Sequence, residues 1–72
     1  MAEEVRTQVP GNIWKILVAM GDEVAAGQTL FIIEVMKTEV AHDASSAGKV
    51  TAIHISEGQE GVDADTLAMV IE

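Results

Sequence analysis

Lys37 is the side chain in this sequence best suited to covalent chemistry. It lies in "FIIEVMKTEV", Phe31 to Val40, and is one of only four cationic residues in the chain. The stretch reads as two apolar strands that meet at Met36-Lys37. No Asn, Gly, Asp or Pro stands between Ile32 and Val40 to turn them. A two-residue hairpin needs positive φ at both central positions, which Asn-Gly or Asp-Gly supplies. Met and Lys adopt that geometry poorly, so the turn is expected to store about 1–3 kcal/mol of strain per residue. A local rule broken in an otherwise consistent sequence marks a functional position. An amine held at the tip of a small body is an attachment point. Met36 puts apolar surface beside it, which solubility alone would not select, and Glu34 and Glu39 flank the pair.

Other residue types offer less. His42 and His54 stand 12 residues apart with no partner constellation, which fits ordinary polar or half-buried histidines better than metal ligands. No Ser-His-Asp set, phosphate loop or paired-carboxylate site is evident, so neither a catalytic residue nor a metal is expected. There is no cysteine, hence no disulfide and no thiolate metal site. That absence fits the cytoplasm.

Lys37 must be positioned by a small scaffold. The 72 residues allow one domain, expected over 1–72, and 49% of them are hydrophobic, enough for an economical core. The net charge of −8, four Lys or Arg against twelve Asp or Glu, argues against nucleic acid and against an anionic membrane surface. It serves solubility. The longest uncharged apolar runs, Ile16 to Met20 and Leu30 to Ile33, are too short to span a bilayer. The start "MAEEVRTQ" is acidic and polar, unlike a secretory signal. A start at Met1 is what a complete small gene product would show, and an artificial start would look the same.

A repeat organises the chain. With a shift of 37 residues, Gly11 falls on Gly48, Ile13 on Val50, Ile16 on Ile53, Gly21 on Gly58, and Thr29-Leu30 on Thr66-Leu67, with no gap. Each unit is too small to bury its own apolar side, so two must pack about a pseudo-twofold axis. Val5 to Val9 alternates, and Ile13 to Val18, Leu30 to Ile33, Val50 to Ile55 and Leu67 to Ile71 are rich in strand formers. Turn signals recur at Pro10-Gly11, Gly21-Asp22, Gly27-Gln28, "SSAG" at 45–48 and Gly58. The odd-numbered step from Ile13 to Ile16, matched by Val50 to Ile53, calls for a bulge in each half. "GDEVAAGQTL" reads as a tight loop with a short strand. The expected fold is all-β: two antiparallel four-stranded sheets packed face to face as a flattened barrel. Val5, Ile13, Ile16, Val18, Val24, Leu30, Ile32, Val50, Ile53, Ile55, Leu67, Met69 and Ile71 are its expected core, and Trp14, whose repeat mate is Thr51, is packing or sheet surface.

With Glu34-Val35-Met36-Lys37-Thr38 at the junction of two such repeats, the chain resembles the biotinyl/lipoyl attachment domains. It is most like the biotin carboxyl carriers, whose hairpin reads Glu-Ala-Met-Lys-Met with Val or Ser often replacing Ala. "PGNIWKILVAMGDEVAAGQTL" looks like that family's first half and "AGKVTAIHISEG" like the opening of its second. The 35 residues after Lys37 match the family's spacing to the carboxyl end. Thr38 departs from the family, which usually has Met there, and this bears on modification efficiency. The extra segment that some acetyl-CoA carboxylase carriers insert between strands is absent.

The resemblance implies a barrel-sandwich fold and a covalent biotin on Lys37, with Met36, Val35, Thr38 and Glu34 around it. A biotin protein ligase would activate biotin as an acyl adenylate, and the neutral ε-amine of Lys37 would attack it. The ring would then carry carboxylate between biotin carboxylase and carboxyltransferase subunits or domains, acetyl-CoA carboxylase of fatty acid biosynthesis being one such host. The chain itself would be a non-catalytic carrier subunit. One alternative is a lipoyl carrier of a 2-oxo acid dehydrogenase-type complex, or a carrier accepting either group. In lipoyl families Asp usually precedes the lysine and Ala follows, so Met36 favours biotin. Another alternative is an unmodified adaptor that docks through its acidic face.

Overall fold

Short strand-forming runs, most of them closed by a turn signal, make seven strands in the computed structural model. They are β1 (Glu3–Arg6), β2 (Asn12–Ile16), β3 (Glu23–Val24), β4 (Thr29–Val35), β5 (Thr38–Asp43), β6 (Gly48–Ile53) and β7 (Leu67–Ile71). The structure describes residues 2–72; Met1, included in the domain expected over 1–72, lies outside the described residues. All pairings are antiparallel. One sheet has the order β1-β7-β6-β3 and the other β2-β4-β5. The second sheet has three strands where four were expected. Its fourth member is reduced to a single bridge, Gly11 with Val62.

The pseudo-twofold relation is carried by hydrogen bonds as well as by strands. The Ile13↔Ile33 and Ile16↔Phe31 pairs of β2 and β4 recur as Val50↔Ile71 and Ile53↔Met69 of β6 and β7. The expected bulges are present, between Ile13 and Lys15 and between Val50 and Ala52. Gly21 N–H donates to Val50 O at 2.8 Å, and Gly58 N–H to Ile13 O at 2.9 Å. Later in each half, Gly27 N–H donates to Ala44 O and Asp65 N–H to Thr7 O, both at 2.7 Å. Gly27 and Asp65 both have positive φ, 83° and 63°, but they are 38 residues apart. One extra residue therefore enters the second half at Glu60-Gly61, where Gly61 sits at φ 68°. The gapless repeat expected from sequence is corrected here, and the same insertion shortens the eighth strand to a bridge.

The shift changes which side chains face inward. Phe31, Ile33, Ala44, Val62 and Ala68 are buried with Val5, Ile13, Val18, Val24, Leu30, Val50, Ile55, Met69 and Ile71. Ile16 and Ile53 pack only at the edge of this core, and Ile32 and Leu67 are half-buried. Leu30 and Phe31 point inward together because the β4–β5 register shifts between Thr29 and Phe31, which breaks the two-residue period. Strands cross at two points too close for a side chain: a Cβ on Gly11 would meet Glu34 O at 2.6 Å, and one on Gly48 would meet Glu72 O at 2.7 Å.

His42 is the buried titratable group of this core, 3% exposed. Its ring stacks on Phe31 with centroids 4.6 Å apart. Gln8 N–H donates to Nε2 at 2.9 Å, so the ring proton sits on Nδ1, 3.3 Å from Val40 O. The ring thus joins the segment after β1 to β5 in its neutral form. Burial pushes its pKa below the ordinary value of 6.5, with the Val40 carbonyl and the Asp43 charge pulling the other way. A histidine with a depressed folded pKa is protonated in the unfolded chain first. Its contribution is complete above about pH 6.5 and is lost as pH falls below that value toward the folded pKa. Urea midpoints should therefore fall between pH 7 and pH 5.5 in the native chain and change much less in His42→Gln. Equal pH dependence in both would contradict this role.

Candidate functional site

The β4–β5 ladder closes with Glu34↔Glu39 and Val35↔Thr38, which leaves Met36 and Lys37 alone to reverse the chain. Both residues take positive φ, 49° and 66°, the left-handed geometry expected of this turn. For side chains without a short polar group this costs on the order of 1–2 kcal/mol each. Met36 is 94% exposed, and Lys37 is exposed beside it. Lys37 takes no part in a salt bridge among the described residues, where the one ion pair joins Arg6 to Glu4 at 3.1 Å. The amine is thus free for an incoming reagent, and the tip leaves room for a large acyl group.

The hairpin brings together all five expected site residues, Glu34, Val35, Met36, Lys37 and Thr38. Val35 is half-buried and packs on the core, which anchors the turn. Thr38 pairs with Val35 across the ladder, a β-branched pair suited to a strand position. Its place in the ladder gives a physical reason for a threonine here. Glu34 and Glu39 lie directly opposite each other and are exposed. Like charges so placed repel.

Of two further residues on this sheet, Asn12 was not singled out from sequence and Trp14 was read as packing or sheet surface. Asn12 pairs with Glu34, and its side-chain oxygen accepts from Gly61 N–H at 3.1 Å. Trp14 projects from the β2 bulge, 43% exposed, with Lys15 Nζ 5.7 Å from its ring centroid. The sequence signal for Trp14 was its polar repeat mate. An open cleft of about 400 Å³ is lined by Glu23, Val24, Ala47, Gly48, Lys49 and Glu72, and none of the hairpin residues lines it. Among the described residues no three metal-ligating side chains come together.

The hairpin thus holds Lys37 out to solvent on a strained two-residue tip at the junction of two repeats. The family model described as "biotin-requiring enzyme" matches residues 2–71. The chain belongs to that family. It is 42% identical over 69 residues to the biotin carboxyl carrier protein of Streptococcus mutans, covering 96% of this chain and 53% of that protein. The biotin/lipoyl attachment protein of Bacillus subtilis is 36% identical over 63 residues, covering 88% of this chain and 86% of the relative. Among solved structures, the urea carboxylase of Kluyveromyces lactis superposes with a TM-score of 0.90 at 40% identity. That match covers all of this chain and 6% of the enzyme. The chain therefore spans about half of the carrier protein it matches and a small part of the carboxylase.

The turn geometry predicts a separation of stability from function. Met36→Asn should stabilise the chain by on the order of 1 kcal/mol, because Asn tolerates the left-handed region. A higher urea midpoint with an unchanged slope is the expected reading; a lower midpoint would show that the tip is not strained.

Proposed function

We propose that residues 1–72 form a biotin-attachment domain in which Lys37 is acylated by a biotin protein ligase. The loaded domain serves a biotin-dependent carboxylase or decarboxylase as a carrier. The observation that supports this reading best is the exposed Lys37 at positive φ on the tip joining the two repeats.

The chain's own contribution is presentation. Lys37 Nζ, deprotonated by a base on the ligase, attacks the carbonyl carbon of the biotinyl adenylate. The N–C amide bond forms, the C–O bond to phosphate breaks, and AMP leaves with that electron pair. The Met36 side chain offers an apolar contact to the ligase, and Glu34 and Glu39 supply charge on either side. When bound, biotin supplies a nitrogen that accepts and releases a carboxyl group. The domain holds that nitrogen at the end of a flexible tether and raises its local concentration at each host site. In this reading the chain is a carrier, and the host enzyme supplies the catalytic groups.

The hosts that fit are enzymes with separate biotin carboxylase and carboxyltransferase sites, and acetyl-CoA carboxylase of fatty acid biosynthesis is one of that class. Similarity to a protein named for biotin and lipoyl together makes lipoyl the competing cargo. Co-expression with a biotin protein ligase tests the choice. The expected result is a mass increase of one biotinyl group and a streptavidin gel shift, both lost in Lys37→Arg. A lipoyl mass without biotin, or full host activity of Lys37→Ala, would overturn the proposal.

A further inference from the structure

The two halves of this fold act as an internal control for each other, and they differ on the outer face of the β2-β4-β5 sheet. In the second half, Thr51 Oγ1 donates to Glu72 Oε2 at 3.0 Å. The equivalents in the first half are Trp14 and Glu34, placed by the matching β2–β4 and β6–β7 registers. The fold therefore brings positions 14 and 34 side by side, yet this half replaces the hydrogen-bonding threonine with an indole, which makes no hydrogen bond to Glu34 among the described residues. Glu34 and the opposing Glu39 have no hydrogen-bond or ion-pair partner among the described residues. Trp14 remains 43% exposed although its mate shows that a small polar residue fits the site. Lys15 Nζ lies over the ring at 5.7 Å.

Lys37 ends this same sheet. The row that pairs Lys15, Ile32 and Ala41 is four to five residues from Lys37 along β5 and β4, about 13–17 Å at strand spacing. An extended lysine stem with a five-carbon acyl chain reaches the near end of that span, and the fused rings extend beyond it. A biotinyl group ends in an apolar sulfur ring fused to a cyclic urea, which has two N–H donors and one carbonyl acceptor. The outer face offers the complement of each part: an indole plate for the ring, the Lys15 ammonium for the carbonyl, and two carboxylates for the N–H groups. Donation to Glu34 and Glu39 also relieves their mutual repulsion.

We propose that Trp14, Lys15, Glu34 and Glu39 form a resting site on which the biotinyl group carried by Lys37 docks between visits to its host. This rests on the attachment of biotin at Lys37. The docked ring leaves the body for each host site, because a single indole plate on an open sheet holds it only weakly.

Trp14 is the only tryptophan in the chain, so its fluorescence reports directly. Intact mass first establishes that a preparation is fully biotinylated. Relative to unmodified protein, Trp14 emission is then expected to move to shorter wavelength and to lose accessibility to acrylamide. Nuclear Overhauser contacts should link the indole to the biotinyl rings. In Glu34→Ala/Glu39→Ala the shift should shrink, and in Trp14→Ser streptavidin should capture the loaded domain faster. Unchanged emission and quenching in protein proven by mass to carry biotin would overturn the resting site while leaving attachment intact. Absence of any mass increase would remove both.

Discussion

Only two residues separate β4 from β5, and much of this molecule's function depends on that shortness. The ladder pairs Val35 with Thr38, so Met36 and Lys37 must reverse the chain by themselves. Type I′ geometry is the one that matches the twist of the flanking strands, and it puts both residues at positive φ. A longer loop would relieve the strain but would let the amine wander. A glycine would relieve it too, but it would give up the apolar side chain that stands beside the amine. The strain is sustained because β4 is the central strand of its sheet, hydrogen-bonded on both sides, with Leu30, Phe31 and Ile33 fully buried beneath it.

The pseudo-twofold axis supplies the rigid base for this tip. Each repeat contributes a bulged strand and a tight turn, and each turn donates a backbone bond into the other repeat, as Gly21 does to Val50 and Gly58 to Ile13. Under the symmetry, the partner of the hairpin is the place where Glu3 of β1 pairs with Ile71 of β7. One such position is closed by a turn carrying the lysine, and the other by the two ends of the described chain. The same symmetry separates positions that the fold fixes in both halves from positions that differ between them. Gly11 and Gly48 are both needed where strands cross, whereas Trp14, Leu17 and Met20 are exposed although their mates Thr51, His54 and Glu57 are polar.

Much of this was legible in the sequence because the features involved are local or periodic. The bulges followed from odd-numbered apolar steps, the strained turn from the absence of Gly and Asn, and the two halves from repeated glycines. The inward faces of β4 and β7 were less legible. "LFII" is apolar throughout, so period two gives no phase, and a register shift between Thr29 and Phe31 turns Leu30 and Phe31 to the same side. In β7, the match of Thr29-Leu30 to Thr66-Leu67 hid the extra residue at Glu60-Gly61. Burial instead aligns Leu30 and Phe31 with Ala68 and Met69. The buried His42 was also beyond reach, since its acceptor role depends on Gln8, which is 34 residues away in sequence and meets it only in the folded chain.

Lys15, Lys37 and Lys49 are all exposed, but only Lys37 stands on the strained tip between β4 and β5. Lys37, and neither Lys15 nor Lys49, is the amine proposed to receive biotin. Peptide mapping by tandem mass spectrometry, after co-expression of the intact chain with a biotin protein ligase, measures this directly. The biotinyl mass is expected on the peptide bearing Lys37 and on neither of the others; biotin on Lys15 or Lys49, or an unmodified Lys37 in fully biotinylated protein, would contradict this assignment.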